Sequence, residues 1–255
     1  MAVQHETLAG LFLVACIAGF IDTLAGGGGL LTIPALLLAP LPPIQALATN
    51  KFQGSFGTLT ATLTLLAKGQ VRFKEVAGLF VPALLGAAFG ALAIQSIDSH
   101  AMDAVIPLIL TGIAVYFLLA PKAGDIDRKP RLPEAPYRRL VIPVIAFYDG
   151  FFGPGTGSFY SLAGVALRGQ NLVSATAFAK VLNFASNISG LFIFVWSGKV
   201  VWIIGAVMAI GQMIGAYAGS LAIIGGGARL IRPLIVAVCF ALLARYAWQK
   251  GLLPI

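Results

Sequence analysis

Apolar runs of about twenty residues, repeated along nearly the whole chain, decide its solvent before any motif is considered. They cover 8–39, 44–67, 75–97, 101–120, 140–167, 172–196, 200–224 and 230–249. Of 255 residues, 59% are hydrophobic and 10% charged, with a mean hydropathy of +0.94, whereas an ordinary soluble domain is about 25% charged. Lipid offers no water to backbone groups, so segments of this length must be helices, and the alternating ten-residue strands of a porin-type barrel are missing. The chain reads as an all-α, multi-pass integral membrane protein whose first environment is the lipid bilayer.

The start, MAVQHETLAG, has no basic residue before its apolar run and no A-x-A-like cleavage site, so no removable signal peptide is expected. Seventeen basic against nine acidic residues give a net charge of +8. The basic residues cluster between apolar segments, which makes them determinants of topology rather than a nucleic-acid surface. The two cysteines, Cys16 and Cys239, both lie in apolar segments and read as small hydrophobes. No cofactor motif is present.

The eight runs fall into four plus four around residues 121–139, a segment with six basic residues and four prolines that reads as a cytoplasmic linker. This predicts an N-terminal transmembrane unit over 1–120 and a C-terminal one over 140–255. The two units match in sequence. IDTLAGGGG and YDGFFGPGTG pair Asp22 with Asp149, Gly26 with Gly153 and Gly28 with Gly155 at a spacing of 127. Next, ALATNK (46–51) pairs with ATAFAK (175–180) at 129, placing Lys51 on Lys180, and GAAFGALA (86–93) matches GAYAGSLA (215–222). An ungapped series of this kind is a tandem duplication, an organisation common in secondary transporters.

The first segment of each unit is broken by glycines. It either crosses the membrane with a kink or turns back as a re-entrant hairpin; the first gives parallel halves, the second inverted halves. Basic residues outside the segments do not separate the two, although Lys68, Arg72, Lys74 and the linker belong on the cytoplasmic side in both. The apolar residues between the glycines and Pro40 cover only about 13 Å at 1.5 Å each, less than half the hydrocarbon core. That favours the hairpin, and with it inverted repeats.

Lysine at membrane depth costs about 2.5–3.5 kcal/mol on insertion scales, so Lys51 and Lys180 are functional candidates by default. Thr49 and Asn50 precede the first; Asn183 and Asn187 follow the second at i+3 and i+7 on one helical face. The bland alternative is a lysine whose ammonium snorkels to the interface. Broken helices add a second kind of cationic element. Half-helix N-termini present unpaired N–H groups and positive dipole ends to anions, and glycine permits the necessary backbone. Gly26, Gly27, Gly28 and Gly29 would open one half-helix near Leu30. Gly153, Gly155 and Gly157 would open another near Ser158, with Thr156 and Ser158 as hydroxyl donors. Close helix packing is the alternative for the glycines, and it suits Gly86, Gly90, Gly215 and Gly219 better than a ligand role. Asp22 and Asp149, just before each break, could relay protons, pair with the lysines or cap the half-helices.

Asp22 before Gly26–Gly29 and Pro34, then ATNK, and in the second half GFFGPGTGSF followed by a lysine and asparagines, resemble the TauE/SafE family of membrane transporters, also called the sulfite exporter or TSUP family. The resemblance spans both halves. It implies transport, often outward, of sulfur-containing or organic anions such as sulfite, sulfoacetate or related sulfonates across the bacterial inner membrane. In this chain the second-half counterpart of TNK reads FAK, with Phe178 and Ala179 in place of the polar pair, so a symmetric site is not expected. A homo-oligomer is compatible with it.

Three other readings compete, of which a structural membrane protein without a substrate would have no need of matched lysines at membrane depth. An intramembrane enzyme lacks its motifs: there is no G-x-S-x-G or HExxH stretch, and neither glycine run completes a phosphate-binding fingerprint. A cation or metal transporter would use Asp22 and Asp149 as ligands, but two lysines beside two carboxylates make a poor cation site.

Overall fold

The computed structural model describes residues 5–39, 41–95 and 126–249. Every regular element among them is helical: α1 (His5–Ala25), α2 (Gly29–Leu38), α3 (Pro43–Ala67), α4 (Phe73–Ala93), α5 (Ile142–Phe151), α6 (Thr156–Arg168), α7 (Leu172–Trp196) and α8 (Trp202–Gln249). A helical turn at Glu134–Pro136 and a π-turn at Tyr137–Val141 lead into α5. Four stretches are long and apolar enough to cross a membrane, namely α1, α4, α7 and Trp202–Gly226 of α8. The expected segment 101–120 lies outside the described residues.

The breaks fall where the glycines are. After Ala25 the chain turns at Gly26 with φ +71°, and after Phe152 at Gly153 and Gly155 with φ +97° and +84°, angles open to glycine and strained for other residues. Both turns reverse the chain. In the first, Leu8, Leu11 and Ala15 of α1 share an apolar cluster with Ala35, Leu36 and Ala39 at the far end of α2. In the second, the Arg131 and Leu132 amides donate to the Leu167 carbonyl, and Arg128 N donates to Gly169 O. Each pair of arms therefore starts and ends at the same end of the molecule, which is the folded-back form of the broken segment.

α3 and α7 pass through the centre side by side in opposite directions. Gly190 of α7 abuts the Lys51 stem of α3, and Gly54 of α3 abuts Asn187 of α7. Ala48 clusters with Leu191, Phe194 and Val200 beyond them. Outer helices pack on the hairpins through glycine. Gly86 and Gly90 of α4 meet the carbonyls of Pro143 and Phe147 of α5, while Gly215 and Gly219 of α8 meet those of Cys16 and Phe20 of α1. A side chain at any of the four would strike backbone, so packing fixes these glycines. Corresponding elements are evenly offset: α2 and α6 begin at 29 and 156, α3 and α7 at 43 and 172, α4 and α8 at 73 and 202.

One boundary differs from expectation. The runs 200–224 and 230–249 form a single helix through Gly225 and Gly226, with Pro233 inside it. Glycine in a helix costs about 1 kcal/mol against alanine but does not by itself end one. Here Ile223, Ile231 and Ile235 are all buried in the main core, so packing continues past the glycines.

Candidate functional site

The two hairpin tips meet tip to tip. A side chain at Gly26 would overlap Gly157 and Ser158, and Gly29 lies against Pro154. Ser158 Oγ donates to the Ala25 carbonyl across the contact. Both half-helices, α2 and α6, start here, beside the middle of α3 and α7.

Lys51 and Lys180 are delivered to this junction by α3 and α7, and neither ammonium snorkels: the residues are 3% and 0% exposed. Each reaches the aspartate of the opposite hairpin. Lys51 Nζ donates to Asp149 Oδ1 at 2.7 Å and to Asn187 Oδ1 at 3.1 Å. Lys180 Nζ donates to Asp22 Oδ2 at 3.1 Å and to the Asp22 carbonyl. A buried ion pair survives only when further hydrogen bonds occupy the remaining lone pairs, and the aspartates meet this requirement differently. Asp22 Oδ1 accepts the Gly28 amide at 3.1 Å, a cap at the start of α2. Among the described residues Asp149 receives no backbone amide; its other partners are the hydroxyls of Ser186 and of Thr156, the latter at 3.2 Å and shared with the Gly153 carbonyl at 2.6 Å.

A polar cavity of about 30 Å³, room for one or two waters, lies between these groups and is lined by Gly28, Gly29, Gly153, Asn50, Asn183 and Asn187 together with both aspartates and Lys51. The carbonyl of Asn50 accepts from Thr32 and Gln53, and that of Asn183 from Asn187. Their NH2 groups are thereby left to the cavity. Gln53, Gly54 and Gln212 also line it, and Gln53 Oε1 is buried with no partner among the described residues.

Not every expected residue faces this space: Lys180, Gly26 and Thr156 are not among its lining residues, and Lys180 borders it only through its partner Asp22. Thr49 is buried away from it, its Oγ1 accepting from the Val201 amide. Gly27 serves the turn, its carbonyl accepting from Leu30 N. Gly155 begins α6 from the left-handed region, and Gly157 and Ser158 belong to the tip contact. Sequence reading missed Gln53, Gln212 and Ser186. Gln212 carried a signal, as an amide in an apolar stretch of α8, and Gln53 carried one through its place two residues after Lys51; Ser186 carried none, because serine is ordinary in such segments.

The other end of the second hairpin holds a larger cavity of about 260 Å³, lined by Glu75, Glu134, Tyr137, Arg168, Gln170 and Phe178. The Arg168 guanidinium lies 5.6 Å above the Tyr137 ring. Burial pushes the Tyr137 hydroxyl up to about 12, with Arg168 partly opposing the shift.

Comparison with known proteins matches most of the chain in sequence. The family described as "Sulfite exporter TauE/SafE" matches residues 11–246. A probable membrane transporter protein of Haemophilus influenzae is 45% identical over 251 residues, covering 98% of each chain. The probable membrane transporter protein YfcA of Escherichia coli K12 is 45% identical over 240 residues, 94% of this chain and 89% of that one. A third relative, the probable membrane transporter protein ORF9 of a Sinorhizobium species, is 45% identical over 238 residues, 93% of this chain and 91% of its own. No solved structure matches the chain.

Proposed function

This chain belongs to the TauE/SafE family of membrane transporters, and from that premise we propose that it exports small sulfur-containing or organic anions, such as sulfite or sulfoacetate, across a bacterial inner membrane. The observation that carries the reading is the exchanged pairing of two fully buried lysines with two aspartates around a cavity lined by amide donors. An anion of one charge can replace the Asp149 carboxylate at the Lys51 ammonium, which lines the cavity, while Lys180 acts from behind Asp22. The cavity is too small to admit it while both pairs are closed, so binding must open a pair.

In this reading the halves are inverted repeats, with the hairpins re-entrant from opposite faces of the bilayer. The antiparallel course of α3 and α7 supports it, as do the offsets between corresponding elements and the exchanged ion pairs. The site lies where the tips meet, and alternating access is a rocking of one hairpin and its outer helix against the other. Lys51 and Lys180 supply charge; Asn50, Asn183, Asn187 and the half-helix starts supply donors. Export of an anion is favoured by an inside-negative potential by about 2.3 kcal/mol per charge at 100 mV.

A cation site built on Asp22 and Asp149 fits less well, because each carboxylate already faces an ammonium. Purified protein in proteoliposomes loaded with radiolabelled sulfite or sulfoacetate tests the proposal. Flux should appear with at least one of them and fall to background in Lys51→Ala and Lys180→Ala. Unchanged flux in both variants would sink the site assignment.

A further inference from the structure

We propose that the transported anion carries a hydrogen-bond donor of its own, an O–H or N–H, and that Gln53 is the residue that selects for it. The inference rests on the transport reading above. It narrows the substrate class to singly charged anions such as hydrogensulfite or a hydroxylated sulfonate or carboxylate.

The two walls of the cavity differ in what they offer a ligand. Lysine only donates, so the bond from Lys51 to Asn187 Oδ1 fixes that amide; Asn187 Nδ2 then donates to Asn183 Oδ1 and leaves the Asn183 NH2 for a ligand. On the other wall Gln53 Nε2 donates to Asn50 Oδ1 at 2.7 Å, leaving the Asn50 NH2 and the Gln53 carbonyl. Turning both amides over exchanges their roles, because Thr32 can donate to the Gly28 carbonyl instead of to Asn50. In either arrangement the pair presents one donor and one acceptor.

The acceptor is unmatched. Gln53 is 1% exposed and lines the cavity, and its Oε1 has no partner among the described residues. A buried carbonyl without a donor is rare. An anion that fills the cavity excludes water from this atom, so it must bring a donor or leave the carbonyl unpaired. A site built to bond a ligand O–H rejects the analogue lacking it far more strongly than an apolar pocket separates homologues.

Placement on α3 orients the ligand. At about 100° per residue, Lys51 and Gln53 stand on opposite flanks of the face that carries Asn50 and Gly54. The Lys51 flank meets α7 at Asn187 and Gly190. The Gln53 flank meets α8, where Gln212 is 4% exposed and a Cβ at Gly57, one turn beyond Gln53, would lie 2.8 Å from Gln212 Oε1. The charged head of the anion therefore belongs at Lys51 and Asn183, and its own donor reaches toward Gln53. The positions matching Asn50, Gln53 and Gln212 in the other half hold Ala179, Leu182 and Ala83. Because none of these offers an acceptor side chain, the anion has a single orientation.

Thermal stabilisation of the purified full chain in detergent, titrated with matched sodium salts, tests this. Two pairs of anions differ only by O–H against CH3 at one position: 2-hydroxyethanesulfonate with 1-propanesulfonate, and glycolate with propionate. In the unmodified protein the hydroxylated member of at least one pair should reach half-maximal stabilisation at a concentration at least tenfold below that of its partner. Gln53→Met, which keeps the length of the side chain and removes the acceptor, should bring the ratio below threefold. A ratio under tenfold in both pairs, no stabilisation by either hydroxylated anion, or a ratio that stays above threefold in Gln53→Met overturns the proposal. Should Gln53→Met fail to fold, the ratio in the unmodified protein decides alone. The flux assay judges the transport reading separately: Lys51-dependent flux beside equal midpoints defeats the donor requirement only, and absence of that flux defeats the transport reading.

Discussion

The Lys51 ammonium sits 2.7 Å from Asp149, a residue of the other hairpin, while Lys180 bonds the hairpin that precedes Lys51. Removing one partner leaves a buried charge unopposed, which costs about 3–5 kcal/mol. Lys51→Met should therefore destabilise the protein more than the double variant Lys51→Met/Asp149→Asn, in which both charges are gone. Thermal melts in detergent check the order, and equal losses in the two would show that the pair contributes nothing to stability.

Gly26 and Gly69 have nearly the same backbone angle, φ +71° and +69°. Only Gly26 has neighbours where a Cβ would be, the backbone of the opposite tip. Gly69→Ala should cost about 1–2 kcal/mol, the left-handed penalty alone. Gly26→Ala should separate the tips and abolish monodisperse behaviour in size-exclusion chromatography.

The same logic applies to the outer helices. Gly215→Val drives a branched side chain into the Cys16 carbonyl, whereas Gly10 has open space around it. The expected outcome is loss of folded protein for the first and an unchanged melting temperature, within about 1 °C, for Gly10→Ala.

Among the candidates, Thr49 and Asn187 separate binding from structure. Asn187 bonds Lys51 and lines the cavity, while Thr49 bonds the start of α8. Asn187→Ala should reduce initial flux of the transported anion at least tenfold. Thr49→Val should leave transport per folded molecule within twofold and lower stability by about 1 kcal/mol, the worth of one hydrogen bond.

Sidedness has its own measurement. Lys68, Arg72, Lys74 and Arg138 lie at the end with the second hairpin's base, and Lys199 at the other, so an impermeant maleimide applied to whole cells should label Lys199→Cys and spare Gln70→Cys in a background lacking Cys16 and Cys239. The reverse pattern would invert the orientation.

Much of this was legible because it follows from local chemistry. Glycine runs broke the helices where expected, since Gly26, Gly153 and Gly155 need positive φ, and the lysines were marked by their cost in lipid. The exchange of partners was not legible: pairing Lys51 with Asp149 rather than Asp22 depends on α3 passing between hairpins, a tertiary fact. Thr49 looked equivalent to Asn50, yet one residue turns a helix by about 100° and takes its side chain out of the cavity. The division of the aspartates into a capped and an uncapped one also lay beyond sequence. It depends on a single amide, Gly28 N, reaching Asp22.

The exchanged pairs also order events in time. Lys51 waits for a partner 98 residues later in the chain, and Asp22 for one 158 residues later. At about 5–20 residues per second, Lys51 enters the membrane roughly 5–20 s before its counterion has been made. The centre of the molecule is therefore assembled last. Until then the first half must keep its lysine near the lipid headgroups, so the half that is synthesised first cannot be the half that is finished first.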